Sequence, residues 1–193
     1  MGSYEGGVTP ERMFGRQEQK GHVVREVLGE LGLFAGDEVL DVGSGPGFAS
    51  LLASERVGPT GKVWALDVEP APLAFLQDRA KEIDWLHVVE GDAADFALPS
   101  DGVRRFLLTD VLHDVADARA VLHHLAKVLP QGARGVVSDY LPVEQKWFGP
   151  DPRRRIPEER VQEWLGEVGF TILKTWHPPD EHYAFLVEVQ GKG

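Results

Sequence analysis

Four acidic residues stand where apolar runs of this chain stop: Asp41, Asp67, Asp92 and Asp110. Next to the first lies a glycine-rich segment, Asp41-Val42-Gly43-Ser44-Gly45-Pro46-Gly47. Glycines in a strand-to-helix turn let the backbone approach a ligand without Cβ clashes and expose amide N–H groups to it. Asp67 follows Gly47 by 20 positions. At that spacing a carboxylate can accept hydrogen bonds from both hydroxyls of a ribose. The chemistry implied is the binding of a nucleoside-bearing cofactor. Asp is common at turns and helix caps, so one such residue means little; four at successive strand ends mark a rim.

Two cofactor classes fit a loop of this kind. A dinucleotide loop has the spacing G-x-G-x-x-G and seats a pyrophosphate on the helix N-terminus. Here the spacing is Gly43-x-Gly45-x-Gly47, and Asp41 precedes it. A carboxylate there opposes a pyrophosphate but can hold the ammonium of an amino-acid end, directly or through water. S-adenosylmethionine carries such an end and no phosphate, so the residues favour it over a nicotinamide dinucleotide. Further on, Thr109-Asp110-Val111-Leu112-His113-Asp114 follows the fourth strand. An imidazole takes or gives a proton near neutrality, so His113 is the candidate general base. Its alternative role is to line the pocket or cap the next helix.

These residues need a scaffold, and the chain supplies strands alternating with helices. Strands are expected over Glu38–Val42, Lys62–Asp67, Leu86–Glu90, Val103–Thr109 and Gly135–Tyr140. Two more, Phe170–Trp176 and Tyr183–Val189, flank Pro178-Pro179-Asp180 as an antiparallel edge pair. Helical spacing of apolar residues marks Val23–Leu33, Phe48–Arg56, Pro72–Glu82, Asp117–Leu129 and Pro157–Val168. Such alternation implies a mostly parallel, doubly wound sheet, with ligands beyond the carboxyl ends of its strands.

Composition narrows the classes. At 193 residues the chain suits one domain. A net charge of -11 disfavours broad contact with nucleic acid or anionic lipid. Without cysteine there are no disulfides, thiolate metal sites or cysteine nucleophile. No apolar run has the length of a membrane span, and Met1–Lys20 lacks a signal-peptide core. A cytoplasmic protein is expected.

Together the motifs resemble the class I S-adenosylmethionine-dependent methyltransferases, near the small bacterial group similar to ubiquinone/menaquinone-biosynthesis enzymes. Val39–Gly47 resembles that family's first motif, Gly61–Asp67 the strand ending in the ribose-binding acid, and Glu90-Gly91-Asp92-Ala93 the adenine-holding segment. The turn Leu129–Ala133 resembles the approach to strand five, with Gly132-Ala133 in place of the usual Gly-Gly. Arg104 and Arg105 replace an acid frequent at the start of strand four. The resemblance implies a three-layer αβα, Rossmann-like α/β fold with a seven-stranded sheet, order 3-2-1-4-5-7-6 and strand 7 antiparallel. It implies S-adenosyl-L-methionine as cofactor, with Asp41, Gly43, Ser44, Gly45, Gly47, Asp67, Val68, Asp92, Ala93 and Asp110 as binding candidates. Leu112-His113-Asp114 resembles the motif of plant-type O-methyltransferases, whose His is the base; their following Trp is Val115 here.

Substrate candidates are Phe14, His113 and Tyr183, and the partner expected is a small-molecule methyl acceptor. Residues 21–193 form the expected methyltransferase domain, and residues 1–20 a cap or a flexible tail, with Met13, Phe14 and Arg16 as cap residues. Arg153-Arg154-Arg155, in the loop Trp147–Pro157, either meet an anionic substrate or pair with Glu158 and Glu159. His22, His123, His124, His177 and His182 are not spaced as metal ligands, and no metal is expected. Two other functions stay open at this level: a non-catalytic S-adenosylmethionine-binding protein and a nicotinamide-dependent oxidoreductase.

Overall fold

The computed structural model describes residues 8–143 and 149–191. At its centre is β1 (Glu38–Val42), whose Val39, Leu40 and Val42 are wholly buried. Parallel strands covered on both faces read as near-continuous apolar runs, and β2 (Lys62–Asp67), β3 (Leu86–Glu90) and β4 (Arg105–Thr109) join β1 in parallel. β5 (Arg134–Tyr140) pairs with β4 in parallel; β7 (His182–Val189) runs antiparallel between β5 and β6 (Phe170–Trp176). The order is β3-β2-β1-β4-β5-β7-β6, as the resemblance implies. The register of the edge strand β6 shifts between Ile172 and Lys174, a bulge of the kind that twists an edge away from further pairing.

Helices cover both faces. α2 (Gly21–Leu31), α3 (Phe48–Val57) and α4 (Pro70–Arg79) bury Val27, Leu28, Ala53 and Leu76 against Val39, Val63, Ala65 and Leu107. α5 (Ala118–Val128) and α6 (Glu158–Val168) bury Leu122, Leu125, Val161 and Leu165 against the opposite face, with Leu40, Phe106 and Phe185. Boundaries differ from the sequence expectation by a few residues. α4 starts at Pro70 rather than Pro72, since a proline fits the first helical turn. β4 starts at Arg105, and Val103 stays buried as a lead-in.

The larger difference is at the N-terminus. Pro10–Gln19 form a helix, α1, with Thr9 as N-cap and Pro10 in its first turn. Of the expected 1–20 segment, residues 10–19 are thus helical, and residues 1–7 lie outside the described residues. α1 has a narrow apolar face, centred on Phe14, and this hid it from a periodicity reading. A single residue, Lys20, separates α1 from α2.

Candidate active site

At the carboxyl end of β1 the chain turns through Gly43, Gly45 and Gly47, all with positive φ. A Cβ on Gly43 would collide with Val111, and one on Gly47 with Leu76, so the backbone reaches these positions only without side chains. Two hydrogen bonds fix the turn to the neighbouring strand: Gly43 N and Ser44 N both donate to Leu66 O, at 2.8 and 2.9 Å. Asp67, at the end of β2, clasps the loop from the side. Its Oδ2 accepts from Gly45 N at 2.7 Å and its Oδ1 from Glu69 N at 2.9 Å. Asp41 is buried and its Oδ2 accepts from Ser50 Oγ at 2.5 Å. Burial pushes its pKa up to about 6; the Ser50 hydrogen bond works against that rise and the nearby Asp67 adds to it. Val68 is exposed beside Asp67. Asp92 Oδ1 accepts from Ala94 N at 2.8 Å, folding Asp92 and Ala93 into a turn after β3.

α1 roofs this loop. Phe14 is buried in ring contacts with Phe48 (5.6 Å between centroids) and Phe75 (5.7 Å), and the Arg79 guanidinium lies over its ring. Gln17 Oε1 accepts from Phe48 N, and Gln17 and Met13 are the nearest side chains to Gly45. Phe14 thus anchors the cap in an aromatic cluster.

A second group forms beyond β4, β5 and β7. His113 Nδ1 lies 2.7 Å from Asp139 Oδ1, its backbone N–H donates to Asp139 Oδ2 at 3.1 Å, and its Nε2 is 3.3 Å from Asp114 Oδ1. Asp139 is fully buried and also accepts from Tyr140 N at 2.7 Å. Burial lowers the His113 pKa, but hydrogen bonds to Asp114 and Asp139 overcome this and push it up to about 10. Both ring nitrogens face carboxylate oxygens, which only accept, so the ring is an imidazolium at neutrality.

Beside it, His182 Nε2 meets Asp110 Oδ1 and its Nδ1 meets Pro179 O, each at 3.1 Å. Burial lowers the His182 pKa, yet the Asp110 contact raises it above the ordinary value. Tyr140 sits between the two imidazoles, 4.2 Å from His182 and 5.5 Å from His113 between centroids. The three non-glycine residues with positive φ, Asp110, Asp180 and Glu181, all adjoin His182 in contact or in sequence. Backbone strain of this kind persists where the surroundings over-determine it, often at functional sites.

Comparisons with known proteins bear on the family and the fold. Residues 39–132 match a family described as a methyltransferase domain. The chain is 36% identical over 110 residues to 2-phytyl-1,4-naphtoquinone methyltransferase of Synechococcus elongatus, covering 54% of this chain and 46% of that one. It is 33% identical over 125 residues to demethylmenaquinone methyltransferase of Tropheryma whipplei, covering 63% and 49%. The chain therefore spans about half the length of these relatives. Among solved structures, an S-adenosylmethionine-dependent methyltransferase from Aquifex aeolicus superposes with a TM-score of 0.82, at 22% identity over 95% of this chain and 100% of that one. Residues 39–132 thus match a methyltransferase domain, and the fold is that of an S-adenosylmethionine-dependent methyltransferase.

The cofactor of this methyltransferase family is S-adenosylmethionine, and the residues present fit it. Ser44 Oγ is buried in the loop without a hydrogen-bond partner. Each Asp67 oxygen holds one backbone N–H and keeps a lone pair for a ribose hydroxyl. Asp41 is a buried acid whose ionisation an ammonium would favour. Two carboxylates flanking the loop oppose a pyrophosphate.

The structure brings the sequence candidates together in two sets. Asp41, Gly43, Ser44, Gly45, Gly47, Asp67 and Val68 form the loop cradle, with Asp92 and Ala93 on the next strand end. Asp110 instead holds His182 and stands with His113. Tyr183 is placed elsewhere: it is wholly buried among Phe185 and the α5–α6 core, with its hydroxyl unpartnered. It faces no opening, because β7 alternates and its neighbour His182 takes the other face. The arginines separate too. Arg153 pairs with Asp151, Arg154 with Asp114, and the buried Arg155 with Glu181 at 2.9 Å. Neither Glu158 nor Glu159 is their partner; Glu158 meets His177. Trp147, in the same loop, lies outside the described residues. Among the described residues no His, Asp and Glu grouping has the form of a metal site, and no helix is long and apolar enough to cross a membrane.

Sequence reasoning missed Asp139, Tyr140, His182 and Lys20 as members of this group. The contacts that join them span 26 residues from His113 to Asp139 and 72 from Asp110 to His182, so no local motif carries them.

Proposed function

We propose that the protein transfers a methyl group from S-adenosylmethionine to a small ring acceptor of the quinone-methyltransferase kind. One observation carries the reading. The carboxylate-lined glycine loop after β1 and the pair formed by His113, after β4, with Asp139, near the end of β5, stand side by side, with Gly43 packed on Val111, two residues before His113. The names of the relatives, a naphthoquinone and a demethylmenaquinone methyltransferase, favour a ring acceptor.

When bound, the cofactor supplies a methyl carbon made electrophilic by its sulfonium. The chain's own groups bind, orient and exclude water. Asp41 takes the ammonium end, Asp67 the ribose, and Val68 with the Asp92-Ala93 turn the adenine. α1 closes over them as a cap, anchored by Phe14, and must shift for cofactor to enter.

His113 faces the acceptor. An imidazolium has no lone pair with which to take a proton, so base function requires it first to release its Nε2 proton. As it stands, the ring donates. Asp139 holds Nδ1 and fixes the ring, and the Nε2 proton, whose contact with Asp114 is long at 3.3 Å, can be shared with an acceptor oxygen.

The test is to supply S-adenosylmethionine with a panel of reduced naphthoquinones and phenols and to follow S-adenosylhomocysteine and products by mass spectrometry. A product heavier by one CH2, dependent on His113, is expected. Bound cofactor with no methylated product across the panel would contradict the reading.

A further inference from the structure

Among the described residues, the ionisable side chains beyond β4, β5 and β7 fall largely into pairs: His113 with Asp139, His182 with Asp110, Arg154 with Asp114, Arg155 with Glu181 and His22 with Asp180. A cation beside Tyr140 stands apart from these pairs. Among the described residues, Lys20, at the junction of α1 and α2, has no carboxylate in ion-pair contact and no hydrogen bond from its ammonium. Its Nζ lies 4.3 Å from the centre of the Tyr140 ring, which also contacts His113, His182 and the Arg155 guanidinium, the last already paired with Glu181. Asp110 and Asp180 act on it only at longer range. Burial holds its pKa below the usual lysine value, the expected cost of enclosing a cation without a partner. In a chain carrying a net charge of -11, a half-buried lysine left unpaired beside the candidate acceptor site is out of keeping with the rest of the surface.

We infer that Lys20 is the counter-charge for an acceptor that docks as an anion, an ionised phenol or enol whose oxygen lies between the Lys20 ammonium and the His113 imidazolium. This rests on the methyltransferase reading above and names the charge state of its substrate. A ring oxygen that arrives ionised needs no base, which agrees with a His113 that already carries both protons. The negative charge also enriches the ring carbons beside that oxygen: transfer to oxygen leaves no proton to remove, whereas transfer to carbon gives a keto tautomer whose ring C–H proton then passes to water. Tyr140 supplies a floor: its ring, in β5, carries the Lys20 ammonium.

The test uses the full chain loaded with S-adenosylhomocysteine and two probes of one ring system, 2-hydroxy-1,4-naphthoquinone, which is an anion at neutral pH, and its neutral 2-methoxy counterpart. Binding is read by quenching of tryptophan fluorescence. The wild type is expected to bind the anion at least about tenfold more tightly than the neutral probe, the scale of one charge-assisted hydrogen bond. Lys20→Met should erase that preference with neutral binding unchanged, and Lys20→Arg should keep it. Equal binding of the two probes, a preference that survives in Lys20→Met, or no binding of the anion overturns the inference. S-adenosylhomocysteine affinity is measured on the same samples: if the wild type fails to bind it, the methyltransferase reading itself fails; if Lys20→Met binds it normally, the variant is folded.

Discussion

The rim over β1, β2 and β3 and the rim over β4, β5 and β7 both use buried acids, but to different ends. In the first, Asp67 holds backbone N–H groups and Asp41 a serine hydroxyl, and the partners lie at most 22 residues apart in sequence. Among the described residues no cation pairs with these acids, so they are left to a ligand with an ammonium and ribose hydroxyls. In the second, each acid contacts an imidazole or a guanidinium drawn from a distant part of the chain, and Lys20 stands without a carboxylate. One rim is preset for a cation-bearing cofactor. The other pairs its acids internally and leaves Lys20 to a ligand.

Breaking the contact between the two rims should have the largest effect. Gly43→Ala forces a φ of +72° on a residue with a side chain and drives its Cβ into Val111. Strain and overpacking together should cost about 3 kcal/mol of stability, seen as a lower denaturation midpoint. Any folded fraction should lose cofactor affinity and turnover together.

The second rim alone is addressed by Asp139→Asn. The amide preserves shape but removes the charge that holds the imidazolium, so turnover should fall roughly 10- to 100-fold. S-adenosylhomocysteine affinity should stay within about twofold. A parallel loss of both would mean that the rims are not separable.

The first rim alone is addressed by Asp41→Asn. The folded-state pKa of about 6 lies above the usual 3.8. The stability this carboxyl contributes is therefore present when it is protonated and is lost as pH rises through about 6. At neutral pH the ionised, buried group opposes folding. The asparagine variant without cofactor should be more stable than wild type by up to about 2 kcal/mol at pH 7. That gain should shrink on acidification, and cofactor binding should weaken roughly tenfold.

The smallest effect sharpens the contrast in sign. His113 has its folded pKa raised from 6.5 to about 10. Its contribution is complete below the unfolded value and lost as pH rises through about 10. Melting temperatures of wild type should decline across that alkaline window, and His113→Gln should flatten the decline.

The same contrast explains what could be read from the sequence. Asp41, the glycine loop, Asp67 and Asp92 lie at the ends of apolar runs, and β1, β2, β3 and β6 fall where those runs predict. The cradle is local, so its residue types and spacing survive as a pattern. Thr9 and Pro10 were a capping signal for α1, but the helix buries little beyond Phe14 and its periodicity is faint. The second rim has no such pattern. Asp139 reads as an ordinary residue within a strand, and His182 as a turn histidine. Only the pairing of β5 with β7 and the return of the chain after β4 bring them to His113. Tyr183 shows the converse: it stood among the substrate candidates, but strand alternation turns it into the core.

Calorimetric titration of S-adenosylhomocysteine into wild type and Asp67→Ala tests the account most directly, with NAD titrated as the rival ligand. Expected is saturable binding of S-adenosylhomocysteine by the wild type, a loss of roughly 30-fold or more in Asp67→Ala, and no heat with NAD. Undiminished affinity in Asp67→Ala, or saturable binding of NAD, would contradict it.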